Sequence, residues 1–159
     1  MFRKVLLAAA LQNWDTLTPY ALAAREVAMQ LAKGSSNPLY VLTLYHFHAP
    51  TIEKNPFIGS QVLQETAQLM KAEEEAIRAA VEAKLRKYVQ DIEDAGVAVV
   101  RLIRPGDPRE EVIRVAAEVG ADLIVIGSRS KRRLFDIGST AQTICKRSPV
   151  AVVLAAPPQ

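Results

Sequence analysis

Cysteine is all but missing from this chain. Cys145 stands alone among 159 residues, so no intramolecular disulfide can form, and a reducing compartment, the cytoplasm, is expected. No apolar stretch approaches the roughly 20 residues needed to cross a bilayer. The opening MFRKVLLAAALQ joins charge to apolar residues, as a secretory signal does. Its apolar run is short, however, and Gln12, Asn13 and Asp15 follow without a convincing cleavage pattern. Charge of one sign is not in surplus: 20 Lys and Arg against 17 Asp and Glu leave +3, too mild a balance for a nucleic-acid binder. Internal repeats and low-complexity tracts are missing as well. No G-x-S-x-G elbow, Walker P-loop or zincin motif is present, so the chain is not expected to be an enzyme. His46 and His48 have metal-capable spacing, but no Cys or third His lies in sequence to complete a set, and no metal site is expected.

What the chain does have is alternation. Half of its residues are hydrophobic, enough for one domain over residues 1–155, with a frayed tail over 156–159. Val5 to Ala10, Leu39 to Tyr45, Val97 to Ile103, Leu123 to Ile126 and Val150 to Leu154 read as strands. Helical spacing fills the gaps. Ala21, Ala24, Ala28 and Leu31 form one stripe between Pro19 and Lys33. Ile77, Val81, Leu85, Tyr88 and Ile92 form a second, ended by Gly96. GDPREE opens a third helix, with Asp107 as cap, Pro108 in the first position and Glu110 placed for a capping box. Its stripe is Val112, Val115, Ala116 and Val119. Ser139 is read as the cap of a last helix that turns Ala141, Ile144 and Cys145 inward. Strands alternating with helices mean an α/β fold with a largely parallel sheet and helices on both faces.

IGSRSKRRLFDIGST, from Ile126 to Thr140, sits at a strand-to-helix junction. Gly127 there either relieves crowding at a strand end or lets a phosphate approach the backbone. Gly138-Ser139 is either an ordinary cap or an anion-binding helix start. Arg129, Lys131, Arg132 and Arg133 suit a solvated loop or a polyanion. Exposed ion pairs contribute only about 0–1 kcal/mol each, so stability is a weak reason for such density. Ser128 and Ser130 offer hydroxyl donors. Trp14 and Asp15, after the first strand, either cover a crevice or close a turn.

RKVLLAA, GDPREEVIRVAAEVGADLIVIGS and GSTAQTICKRSPVAVVL together resemble the universal stress protein family over nearly the whole chain. Gly106-Asp107-Pro108, Gly120-Ala121-Asp122 and Gly127 fall in family register. The resemblance implies a single open five-stranded parallel sheet of order 3-2-1-4-5, of the adenine nucleotide alpha hydrolase-like class. A ligand crevice would lie where the winding reverses. It also implies an adenine nucleotide (ATP, ADP, AMP or cyclic di-AMP), with Mg2+ only as a companion of ATP. The nucleotide would lie near Ala9, Ala10 and Val41, the last either meeting adenine through its backbone or simply packing in the core. Gly127, Ser128, Arg129, Ser130, Lys131, Arg132, Arg133, Gly138, Ser139 and Thr140 would complete the nucleotide site. The ATP-binding branch carries G-x2-G-x9-G-[ST] in that loop. Here Ser130 replaces the second glycine, Lys131 to Ile137 supply seven residues for nine, and Ala10 stands where an Asp is common. The reading is thus a non-catalytic regulatory domain with a degenerate nucleotide loop. Its rivals are a nucleotide-independent dimer acting through a regulatory protein partner, and a cyclic di-AMP receptor. A homodimer through Val150 to Leu154 is expected, because that β-rich run would otherwise be an exposed sheet edge.

Overall fold

The five apolar runs fold into one parallel sheet, and the periodic segments become the helices that connect them. A computed structural model of the chain describes residues 2–11, 17–47, 59–128 and 138–157. In chain order the elements are β1 (Val5–Ala8), α1 (Pro19–Ala32), β2 (Leu39–Tyr45), α2 (Ser60–Asp94), β3 (Val99–Pro105), α3 (Pro108–Val119), β4 (Leu123–Gly127), α4 (Ser139–Arg147) and β5 (Ala151–Ala155). Strand order is β3-β2-β1-β4-β5 and every pairing is parallel, as the resemblance implies. β3 and β5 lie a residue or two later than their apolar runs suggest, and β1 ends at Ala8.

β1 is central, with Leu7 opposite Val41 on β2 and Val125 on β4. Side chains alternate across a strand, so the same three strands feed two cores. Leu7, Val41 and Val125 pack with α1 and α2, whereas Leu6, Leu42 and Ile124 pack with α3 and α4. That double burial is why these strands are apolar at nearly every position. Asp122 sets the register at the lower edge. Its carboxylate accepts the Arg3 and Lys4 N–H groups at 2.9 and 3.0 Å, and its own N–H donates to the Lys4 carbonyl. These backbone donors, the Arg3 amide foremost, lower the Asp122 pKa.

Helix packing revises two inward faces. Ala21, Ala24 and Ala28 are buried, but Leu31 is exposed and Ala32 takes its place, because a stripe of alanines lets α1 lie close on the sheet. Cys145 is exposed rather than inward: α4 buries Ala141 and Ile144, and position 145 rotates past the contact. Partial desolvation still raises the thiol pKa. α1 and α2 are joined at Tyr88, whose hydroxyl donates to the Ala21 carbonyl at 2.7 Å. Arg25 lies over that ring at 5.3 Å and reaches Asp91 at 2.8 Å. Burial pushes the Tyr88 pKa strongly upward. Among the described residues no helix is long and apolar enough to cross a membrane.

Candidate functional site

Three helix starts meet above the carboxyl ends of β1, β2 and β4, beside the point where the strand order reverses. α1 begins there with Thr18 as cap, its hydroxyl accepting the Ala21 N–H at 3.3 Å. α3 begins with Asp107, whose carboxylate accepts the Arg109 N–H at 2.9 Å and pairs with the Arg109 guanidinium at 2.7 Å. Those two bonds, the guanidinium first, lower the Asp107 pKa to about 2, with His46 close enough to assist. Among the described residues Glu110 makes no return bond to the Asp107 N–H. The Asp107 carboxylate takes the second helical N–H rather than the third, so a simple cap stands in place of the expected capping box.

α4 begins differently. Its N-cap is Gly138, not Ser139, with φ at 97° and ψ at 150°. Ser139 is already the first helical residue, because the chain enters through a backbone conformation that favours glycine. A glycine has no side chain to cap with, and the first turn holds no acidic residue. Among the described residues no carboxylate thus sits in the first turn of α4, while Asp107, Glu110 and Glu111 offset the positive dipole end of α3.

Between these helix starts lies a cavity of about 320 Å³. Ala8, Leu42, Leu44 and Ile126 form its floor, with Pro108 and Val112 on one side. Gly138, Ser139, Thr140 and Ala141 form the opposite side, and Ala9, Ala10, Tyr20, Ala21, His46 and Gly127 also line it. An apolar floor beside an open helix start suits a ligand with one flat apolar part and one anionic part.

Of the residues proposed from the sequence, Ala9, Ala10, Gly127, Gly138, Ser139 and Thr140 are brought together here. Val41 is fully buried on the α1–α2 side of β2, and Leu42 and Leu44 occupy the cavity face instead. Ser128 is buried, and its N–H continues the β4–β5 ladder to the Ala155 carbonyl at 2.8 Å. Arg129, Ser130, Lys131, Arg132 and Arg133 lie outside the described residues, as do Trp14, Asp15 and His48. For Gly127 the crowding explanation is real, since a Cβ there would lie 2.8 Å from the Tyr20 carbonyl oxygen. A Cβ on Gly138 would meet nothing among the described residues, so backbone conformation, not space, calls for that glycine.

Sequence reading overlooked Tyr20, Pro108 and Val112 as lining, and weighed His46 only as a metal ligand. The period of two along β2 carries the signal: Leu42, Leu44 and His46 share one side. Among the described residues no three His, Cys, Asp or Glu side chains cluster to hold a metal.

The universal stress protein family profile matches residues 1–156. The curated Universal stress protein MJ0577 from Methanocaldococcus jannaschii is 36% identical over 74 residues, 44% of this chain and 46% of that protein. The match thus spans about half the length of that relative. The solved structure of MJ0577 superposes with a TM-score of 0.73 at 19% identity, covering 100% of this chain and 99% of the other. A universal stress protein from Archaeoglobus fulgidus in complex with dAMP superposes at 0.60, with 17% identity and 95% of each chain covered. An Arabidopsis thaliana universal stress protein family protein with AMP bound superposes at 0.63, with 16% identity and coverage of 98% and 91%. The profile match over almost the entire length, on this sheet order and these motifs, makes the chain a member of the universal stress protein family.

Proposed function

We propose that this protein is a non-catalytic, cytoplasmic regulatory domain that binds an adenine nucleotide in the cavity above β1 and β4. The observation that carries the reading is the pairing of an apolar floor with the open start of α4 at Gly138, Ser139 and Thr140. A nucleoside suits the floor and a phosphate suits the helix start. The dAMP and AMP held by the Archaeoglobus and Arabidopsis proteins lend support, because those proteins share the fold. Ala10 at the mouth and the shortened loop favour weaker ATP binding than a full motif would give.

A thermal-shift series with AMP, ADP, ATP and cyclic di-AMP tests this. At 100 times Kd, ligand linkage is worth about 2.7 kcal/mol, which for a domain of this size raises Tm by about 5–10 °C. Ala10→Phe should fill the mouth and abolish the shift while leaving the unliganded Tm nearly unchanged. Gly138 is unsuitable for this purpose, since any side chain there strains the backbone with or without ligand. Shifts below one degree for all four nucleotides at millimolar concentration would overturn the reading and favour a nucleotide-independent dimer.

A further inference from the structure

We propose that the amino-terminal half of α2 is a self-association surface that pairs antiparallel with α2 of a second copy of this chain. α2 has 35 residues and is about 52 Å long, whereas the seven-residue β2 beside it spans about 23 Å. Its fully buried residues, Val81, Leu85, Tyr88, Val89 and Ile92, all lie in the carboxyl-terminal part. The Tyr45 hydroxyl, at the end of β2, donates to Glu74 at 3.0 Å, so the helix before Glu74 extends past the sheet.

That extension is built for a partner. Val62-Leu63, Leu69-Met70 and Ala76-Ile77 recur every seven residues, the spacing of a seam between two helices. Leu69 is 72% exposed and Val62 53%, far more than apolar side chains inside a finished interface. From Gly59 to Met70 the only charge is Glu65, a depletion typical of interface centres.

Charge complementarity selects a second copy as the occupant. Placing Leu63 of one helix opposite Met70 of its antiparallel twin sets Thr66 against Ala67 and Glu65 against Gln68, with no like charges facing. The same register puts Glu73 opposite Ser60. The helix start at Ser60 has Gly59 as its cap and no acidic residue in its first turn. The acidic run Glu73–Glu75 of each copy therefore lies near the positive dipole end of the other's α2.

Light scattering on the full chain, with and without Val62→Glu plus Leu69→Glu, tests the proposal. The double variant should halve the assembly mass: tetramer to dimer if β5 also pairs, dimer to monomer if it does not. Circular dichroism checks that the variant stays folded. Independently, Thr66→Cys in a Cys145→Ser background should form disulfide-linked dimers on mild oxidation, and Gln61→Cys in that background should not. A monomeric wild type, an unchanged mass in the double variant, or no cross-link at position 66 overturns the proposal.

Discussion

At Thr43 a hydroxyl sits in β2 with no exposure and no hydrogen-bond partner among the described residues. Position parity puts it on the side of Val41 and Tyr45, against α1 and α2, where an aliphatic side chain would be ordinary. A buried unpaired polar group costs free energy that an apolar group of the same shape avoids. Thr43→Val should therefore stabilise the protein by about 1 kcal/mol and raise Tm by roughly 2–4 °C. A thermal melt showing no change or a loss would mean that the hydroxyl is satisfied. Tyr45, two residues on, shows the opposite arrangement. Its ring is buried, its hydroxyl reaches Glu74, and burial followed by that acidic partner raises its pKa. The two cavity glycines also separate at this scale: Gly127 answers to a neighbour, Gly138 to its own dihedral angles.

Helix starts are the elements that shape the site, and they differ in charge. The α3 start is closed by Asp107, so Asp107→Ala should weaken the fold without changing nucleotide affinity. The sign of its pH dependence follows from the lowered pKa. The folded value, about 2, lies below the ordinary 3.8, so the contribution is complete above about pH 4 and fades as pH falls toward 2. Urea midpoints of wild type and variant should thus differ at pH 7 and converge near pH 2. Salt should narrow the gap, because the pair is solvent-exposed. Equal midpoints at pH 7 would contradict the cap, and a large affinity loss would place Asp107 in the site. Among the described residues the α4 start holds no such carboxylate, and its backbone N–H groups suit an anion.

Across the whole molecule, parallel topology creates both the crevice and two exposed edges. β5 is an edge strand, paired only with β4 among the described residues, and its Val152, Val153 and Leu154 are only partly buried. We propose that this edge pairs with its equivalent in a second copy, since an unprotected β-rich edge invites aggregation. Val152→Lys should convert the assembly to a smaller species or precipitate it. A wild-type monomer by light scattering at micromolar concentration would refute the pairing. The same edge logic does not reach β3, which carries the exposed Arg101 in its middle and ends in Arg104 and Pro105.

The sequence by itself determined the α/β class, the place of each strand within a residue or two, the cap at Asp107 and the family. These rest on periodicity, local capping chemistry and motif spacing, all of which act over a few residues. Tertiary structure decided the rest. Leu31 and Cys145 turned outward because helix rotation depends on what the helix packs against, and a stripe's margin does not fix it. The Leu42 and Leu44 side chains reached the cavity while that of Val41 packed in the core, because face assignment in a strand needs to know which helices cover which side. Tyr20 joined Gly127, though 107 positions separate them, because a parallel sheet brings helix starts and strand ends to one edge. That convergence of distant residues, and with it the cavity, belongs to the fold and to no local segment.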